Sequence, residues 1–311
     1  YSVAFTLLKC YTHEEVIVMS QEYAALIIDL RNSRSYTDSD RFLIQTHMIR
    51  ILDFLNKAFS GDILRTVEFS AGDEIQGLFS TGESAYLFYR FFSIWLYPVK
   101  IRAGIGIGNW NLQMKGRGTT SQDGEVYHNA RNAIRCTDPA LGYPVLMYSA
   151  SRNDRTLNTL MGGAANVTEN LSITQNQLFL ITEILFPLCL KNDFQWPYDS
   201  LAFNRLLIEK SCFDHKISKT DRELPLDHIN LTDDSVGQIP ARARNDIYRN
   251  TEPNAFFVTG GKQRGIPTEA AKILSIKRQT IARSLESGNI YWARSMALTV
   301  LYEMNTNMKE V

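Results

Sequence analysis

The chain predicts an α/β (α+β) fold, a βαββαβ sheet domain followed by a mostly α-helical C-terminal region. Three observations lead there. Residues 23–30, YAALIIDL, are apolar up to a closing aspartate, the pattern of a strand buried on both faces whose carboxylate emerges at its end. Two strand-like runs, ILRTVEFS and EIQGLFS, are joined by Ala71-Gly72-Asp73, a turn combination that predicts a hairpin with Asp73 at its tip. From about residue 170 the pattern becomes helical, as in SITQNQLFLITEILFPLCL and YDSLAFNRLLIEKS.

Taken in order, the first strand is followed by a polar loop, RNSRSYTDSD, in which Asp40 is placed as a helix N-cap. Phe42, Met48, Ile51, Leu52, Leu55 and Phe59 then recur at helical spacing and form one apolar face, with Gly61 as the stop. The hairpin comes next. An aromatic-rich helix over 83–95 ends before Pro98. VKIRAGIGIG reads as a further strand whose glycines permit close backbone approach. A glycine-rich loop, MKGRGTTSQDGE, precedes a helix over 126–136. This succession is the split βαβ, or ferredoxin-like, pattern.

A length of 311 residues suggests two compact units with a connecting module. The divisions read from the sequence are an extension over 1–18, an α/β domain over 19–165, a helical and irregular connection over 166–254, and a C-terminal module over 255–311. The composition, 44% hydrophobic and 21% charged, is that of a globular chain. Its zero formal net charge excludes a whole-molecule field directed at nucleic acid or membrane, so any such attraction must be local. Cys10, Cys136, Cys189 and Cys212 have no paired short spacing, which argues against a zinc site or a disulfide framework and suits a reducing cytoplasm. The longest apolar runs fall short of a bilayer span, so no membrane partner is expected.

Asp29 at the end of the first strand and Asp73 at the hairpin tip are far apart in sequence but are expected to meet. Two ionised carboxylates repel unless a cation lies between them. Magnesium suits such a pair because it takes hard oxygen ligands and keeps waters or phosphate oxygens, with manganese as a substitute. Glu74 is a third candidate ligand, or points away along the hairpin. Arg31, Ser33 and Arg34 in the following loop could hold a triphosphate through guanidiniums, hydroxyl and backbone amides. The plainer alternative is that a strand-ending aspartate and a Gly-Asp turn are ordinary structural choices.

The ordered set IIDLRNSR, AGDEIQGLF, KIRAGIGIG and DGEVYHNARNAIR resembles the SatD family of bacterial proteins. The same set is similar to a remote version of the palm domain of class III nucleotidyl cyclases and GGDEF proteins, over roughly residues 20–136. That resemblance implies magnesium and nucleoside triphosphate at Asp29 and Asp73. It adds the Leu30 carbonyl as a ligand, Gly72 beside the nucleotide, Arg131 stabilising a transition state, and a dimer. The cyclase pattern also has an asparagine four residues before that arginine, where this chain carries Tyr127. Asn129 and Arg135 lie near but do not fit the motif. Arg131 could equally be a solvated helix residue and His128 a structural one. Arg102 is placed toward solvent in preference to phosphate.

In the C-terminal region, TEAAKILSIKRQTIARSL resembles a helix-turn-helix. Thr268 is read as a cap, Ala271 and Leu274 as a buried face, Ser275-Ile276 as the turn, and Ile281 and Leu285 as the inner side of the second helix. The family prefers glycine where this chain has Ser275. Lys277, Arg278, Gln279, Thr280 and Arg283 would face outward, as suits contacts to DNA phosphates and base edges. Residues 262–311 carry eight Lys/Arg against four Asp/Glu, a local net of +4. A helical module for dimer or partner contact is the alternative.

Three functions are therefore expected in turn. The first is a DNA-binding regulator that senses a nucleotide with magnesium. The second is a magnesium-dependent nucleotidyl cyclase or nucleotidyltransferase. The third is a catalytically inactive interaction protein on the same fold.

Overall fold

The computed structural model describes residues 22–110, 124–188, 200–219 and 260–307, with residues 224, 226, 229, 231 and 258 besides. The expected extension over 1–18, most of the glycine-rich loop and most of 214–254 lie outside the described residues.

Strand β1 (Tyr23–Leu30) is followed by α1 (Asp38–Ala58), the hairpin β2 (Ile63–Ala71) and β3 (Glu74–Phe79), α2 (Gly82–Leu96), β4 (Ile101–Gly108) and α3 (Glu125–Arg135). A further strand, β5 (Val145–Tyr148), completes a sheet of order β2-β3-β1-β4-β5. The first four strands pair antiparallel, in the ferredoxin-like order that the sequence predicts, and β5 adds to β4 in parallel. The added strand was not foreseen, and neither was α4 (Asp154–Glu169), which packs on β5. Four residues show too little alternation to announce a strand, and pairing with β4 supplies what local propensity lacks.

Residues of β1 alternate between two cores, as the two-residue period of a strand requires. Ala24, Leu26, Ile28 and Leu30 join the larger core with α1 and α2, while Ala25 and Ile27 join a smaller one with Leu78 and α3. Helix α3 lies close on β4 because two positions there lack side chains. A Cβ at Gly104 would stand 2.3 Å from the Ala130 carbonyl oxygen, and one at Gly106 would stand 2.1 Å from the Ala130 nitrogen. The glycines of AGIGIG thus set how near the helix comes.

Local ends differ from the sequence reading in three places. Thr37, not Asp40, caps α1: its Oγ1 accepts from the Asp40 amide at 3.1 Å, which puts Asp40 in the first turn, where a carboxylate favours the helix dipole. Phe42 is 74% exposed, so the buried face begins only at Ile44. Thr268 is not a cap either, because the helix already starts at Ile266 with Pro267 in its first turn.

Beyond α4 come α5 (Ile173–Leu185), α6 (Ser200–Ser218), α7 (Ile266–Leu274), α8 (Arg278–Ser287) and α9 (Ile290–Asn307). They share the larger core with the sheet: Phe179, Phe203, Leu285 and Leu298 belong to the same buried cluster as Ile28 and Phe88. Two buried ionic groups tie these elements together. Glu183 on α5 accepts from Arg90 of α2 at 2.8 Å and from Arg294 of α9, whose Nη2 also donates to the Phe186 carbonyl at 2.8 Å. Lys210 on α6 pairs with Asp214 and donates to the Tyr97 carbonyl, while Gln177 of α5 donates to Asp214. Among the described residues no helix is long and apolar enough to cross a membrane.

Candidate functional site

At the C-terminal end of β1 the chain leaves an open cleft of about 930 Å³. Its walls are the end of β1, the loop Arg31–Ser35, Asp73 from the β2–β3 turn, Arg102 from β4, and Asp138–Ala140 from the segment before β5. The hairpin register brings Asp73 there. Ala71 pairs with Glu74, leaving Gly72 and Asp73 as the turn, with Gly72 at φ +62°, a conformation glycine adopts without strain. Asp29 and Asp73 therefore line one cleft although forty-four positions separate them.

Their surroundings differ. Asp29 faces Arg102, its register partner on β4, and Oδ2 accepts from Nε at 2.9 Å and from Nη2 at 2.6 Å. Both bonds fall on Oδ2, and Oδ1 takes none from the described residues. The Arg102 side chain is exposed, as expected, and its guanidinium meets Asp29. Among the described residues Asp73 has no such partner, and its Oδ2 is buried without a hydrogen bond. A carboxylate oxygen removed from water and left without a donor costs free energy of about 1–3 kcal/mol or more. A hard cation would relieve that cost. Asp29, Asp73 and the Leu30 carbonyl fit one as oxygen ligands, and the Leu30 side chain is buried in the core. Among the described residues no group of three or more His, Cys, Asp or Glu could hold a metal ion. A cation here would accordingly need water or phosphate oxygens to complete its shell, as magnesium commonly does.

The loop after β1 is compact and basic. Asn32 has φ +54°, and its carbonyl accepts from the Ser35 amide and hydroxyl, closing a short 3₁₀ turn over Ser33–Ser35. Arg34 is exposed on this turn, and Arg31 lines the cleft while its Nη1 bonds Glu169 at 2.8 Å. Asp138 also lines the cleft, and its carboxylate accepts from the Ala140 and Leu141 amides.

Three further residues named in the sequence reading are not in the cleft lining. Glu74 accepts from Arg131 at 2.6 Å and from the Ser70 hydroxyl at 2.7 Å, so its carboxylate is already engaged outside the cleft lining. Arg131 is correspondingly held by Glu74, with a longer 3.5 Å contact to Gln76. Gly72 sits on the exposed tip of the turn. Asn129, close to the position where the cyclase pattern has its asparagine, is buried and donates to the Ile107 carbonyl at 2.7 Å. Sequence reasoning missed Arg102 as the partner of Asp29 and missed the Asp138–Ala140 wall. An Asp-Pro turn signal was present for the second; only strand register could have found the first.

The C-terminal helices form a second candidate surface. Helices α7 and α8 are joined through Ser275 at φ +53°, and the Ile276 amide reaches back to the Ala271 carbonyl at 3.2 Å, a Schellman-type closure. Serine occupies here the left-handed conformation for which glycine is the usual choice. Ala270 and Leu274 are fully packed while Ala271 is only half-buried, so the small buried residue stands one position earlier than expected. On α8, Ile281 and Leu285 face inward, and Lys277, Arg278, Gln279, Thr280 and Arg283 are all exposed. Its first turn holds no acidic residue, and Lys277 makes no side-chain cap.

This fold and cleft define an α+β protein of ferredoxin-like sheet order with three aspartates and three arginines lining a cleft at the end of its central strand. The chain belongs to the SatD family, whose family model matches residues 23–222. That match takes in the whole sheet and every residue of the cleft, and α7–α9 lie beyond it. No curated protein matches the chain.

Proposed function

We propose that this SatD-family protein is a DNA-binding regulator whose sheet domain binds a nucleotide together with Mg²⁺. The observation that carries the reading is the buried Asp73 Oδ2, without a donor, in the cleft that Asp29 also lines. The cation would be held by Asp29, Asp73 and the Leu30 carbonyl, and it supplies charge neutralisation for phosphate oxygens. Arg31, Ser33 and Arg34 stand where phosphates would need donors, and Arg102 adds a fourth cleft group able to turn from Asp29 to an anion. Exposed Lys277 and Arg278 at the start of α8 oppose the helix dipole, and a DNA phosphate at that end would reverse the penalty.

Binding is favoured over turnover by the position of Arg131. The residue assigned by resemblance to transition-state stabilisation is tied to Glu74. The cyclase or nucleotidyltransferase reading requires that pair to open.

The test is thermal unfolding of the full chain with each common nucleoside triphosphate, with and without magnesium, for the native protein and Asp73→Ala. A ligand at about one hundred times its dissociation constant stabilises by roughly 2.7 kcal/mol. A magnesium-dependent shift that disappears in Asp73→Ala is the expected result; no shift with any nucleotide overturns the nucleotide reading. For DNA, retention in gel shifts should weaken with salt, and Lys277→Ala with Arg278→Ala should flatten that dependence. Salt-insensitive or absent retention removes the DNA-binding half.

A further inference from the structure

Away from the Asp29–Asp73 cleft, the α3 face of the sheet carries a cluster of polar groups to which nothing has been assigned. Tyr127 on α3 packs in the smaller core, with Tyr23 and Trp110 against it. Trp110 meets Tyr23 edge to face at 5.7 Å, and the Arg65 guanidinium of β2 lies over the Trp110 ring, 5.1 Å from its centroid. Tyr127 is 8% exposed. Three atoms of this group are buried without a hydrogen-bond partner: Arg65 Nε, Trp110 Nε1 and Tyr127 Oη.

All three are donors. Arginine and indole nitrogens cannot accept, and a tyrosine hydroxyl donates readily. Among the described residues no carboxylate pairs with Arg65, although Glu74, Glu183 and Asp29 each hold an arginine of their own. A water molecule accepting from these donors would bring two protons that need acceptors in turn. A carboxylate or phosphate oxygen is an acceptor with several lone pairs, and its charge answers the guanidinium. Burial raises the Tyr127 hydroxyl pKa, with Arg65 opposing, so the phenol remains a protonated donor at neutral pH.

We infer that Arg65, Trp110 and Tyr127 form a second binding site, separate from the Asp29–Asp73 cleft, for an oxyanion group of a small ligand. The two sources of such a group are a carboxylate and a phosphate. The aromatic surroundings suit a ligand whose remainder is apolar or planar, resting against Trp110 and Tyr23.

The experiment titrates acetate and, separately, inorganic phosphate into the full-length protein at constant ionic strength with chloride as the balancing ion. Tryptophan fluorescence and thermal unfolding are followed for the native chain, Arg65→Gln, Tyr127→Phe and Asp73→Ala. A saturable response to one anion is expected, retained in Asp73→Ala and weakened at least about tenfold in Arg65→Gln. Tyr127→Phe removes only an unpaired hydroxyl, so without anion it should melt at or above the native temperature. With anion it should lose most of the shift. Acetate alone responding names a carboxylate ligand, and phosphate alone names a phosphate. No saturable response to either, or one unchanged in both Arg65→Gln and Tyr127→Phe, overturns the site. A response lost only in Asp73→Ala would belong to the cleft, and overturns it equally.

Discussion

Arg102 Nη2 stands 2.6 Å from Asp29 Oδ2, and the two residues are direct register partners on β4 and β1. A guanidinium therefore occupies part of the carboxylate that the proposed cation would use. Because the pair is half-exposed, it contributes little to folding. Arg102→Gln should change stability by less than about 1 kcal/mol. The same change should tighten binding of Mg²⁺ alone, measured by calorimetric titration without nucleotide. Unchanged or weaker Mg²⁺ binding would remove Asp29 as a ligand.

Glu183 is the shared counter-charge of Arg90 and Arg294, and all three are buried. Glu183→Gln leaves two guanidiniums inside the protein without a carboxylate, a loss expected to cost about 3–5 kcal/mol. Urea unfolding at neutral pH measures it. Burial pushes the Glu183 carboxyl up, but Arg294 and Arg90 together outweigh it and hold it below the usual 4.5. A carboxyl lowered on folding contributes stability that is full above that usual value and is lost as pH falls through the folded one. The native protein should therefore weaken below about pH 4.5 more steeply than Glu183→Gln does.

His47 gives a second pH dependence, in a different window. It stacks on Phe213 at 4.1 Å, and its Nε2–H donates to the Trp95 carbonyl at 3.2 Å. Burial, with the charges of Lys210 and Arg50, pushes its pKa from 6.5 down to about 3. Below pH 6.5 the unfolded chain takes up a proton at this residue and the folded chain does not. Stability is thus intact above 6.5 and falls toward pH 3, by at most about 1.4 kcal/mol per pH unit from this group. Comparing urea midpoints at pH 6.5 and 5 for the native protein and His47→Leu isolates the effect. An equal pH slope in both would show that His47 is not the group responsible.

Gly106 and Gly61 offer a matched contrast. A Cβ at Gly106 would lie 2.1 Å from the Ala130 nitrogen and 2.2 Å from the Val126 oxygen, whereas nothing lies within 4 Å of one at Gly61. Helix backbone cannot yield as a side-chain end can, so Gly106→Ala should cost about 3 kcal/mol or more. Gly61→Ala should stay within about 0.5 kcal/mol. Thermal unfolding of the two variants checks both.

Much of the fold is legible in the sequence. YAALIIDL announces the central strand, Gly72-Asp73 the hairpin, and the glycines of AGIGIG a close backbone approach, because each is a local statement about burial, turn chemistry or missing side chains. That the approaching element is α3 comes from the structure. The exposure of Phe42 escapes the pattern because helical spacing names a face but not where along the helix that face begins to be covered. Thr37 and Asp40 both suit a cap, and only the position of the Thr37 hydroxyl at the helix start decides between them.

By itself, then, the sequence determined the order of the elements from β1 to α3 and put Asp29 at a strand end and Asp73 at a turn tip. Those features follow from periodicities of two and 3.6 residues and from what glycine and aspartate permit in turns. Tertiary structure alone decided that Arg102 meets Asp29, that Arg131 holds Glu74, and that Arg65, Trp110 and Tyr127 gather with unanswered donors. Only it placed α9 against α2 and α5 through Arg294 and Glu183. The physical reason is that each of these contacts joins residues tens of positions apart. Strand register and helix packing set such contacts, and neither is written in the local pattern of the chain.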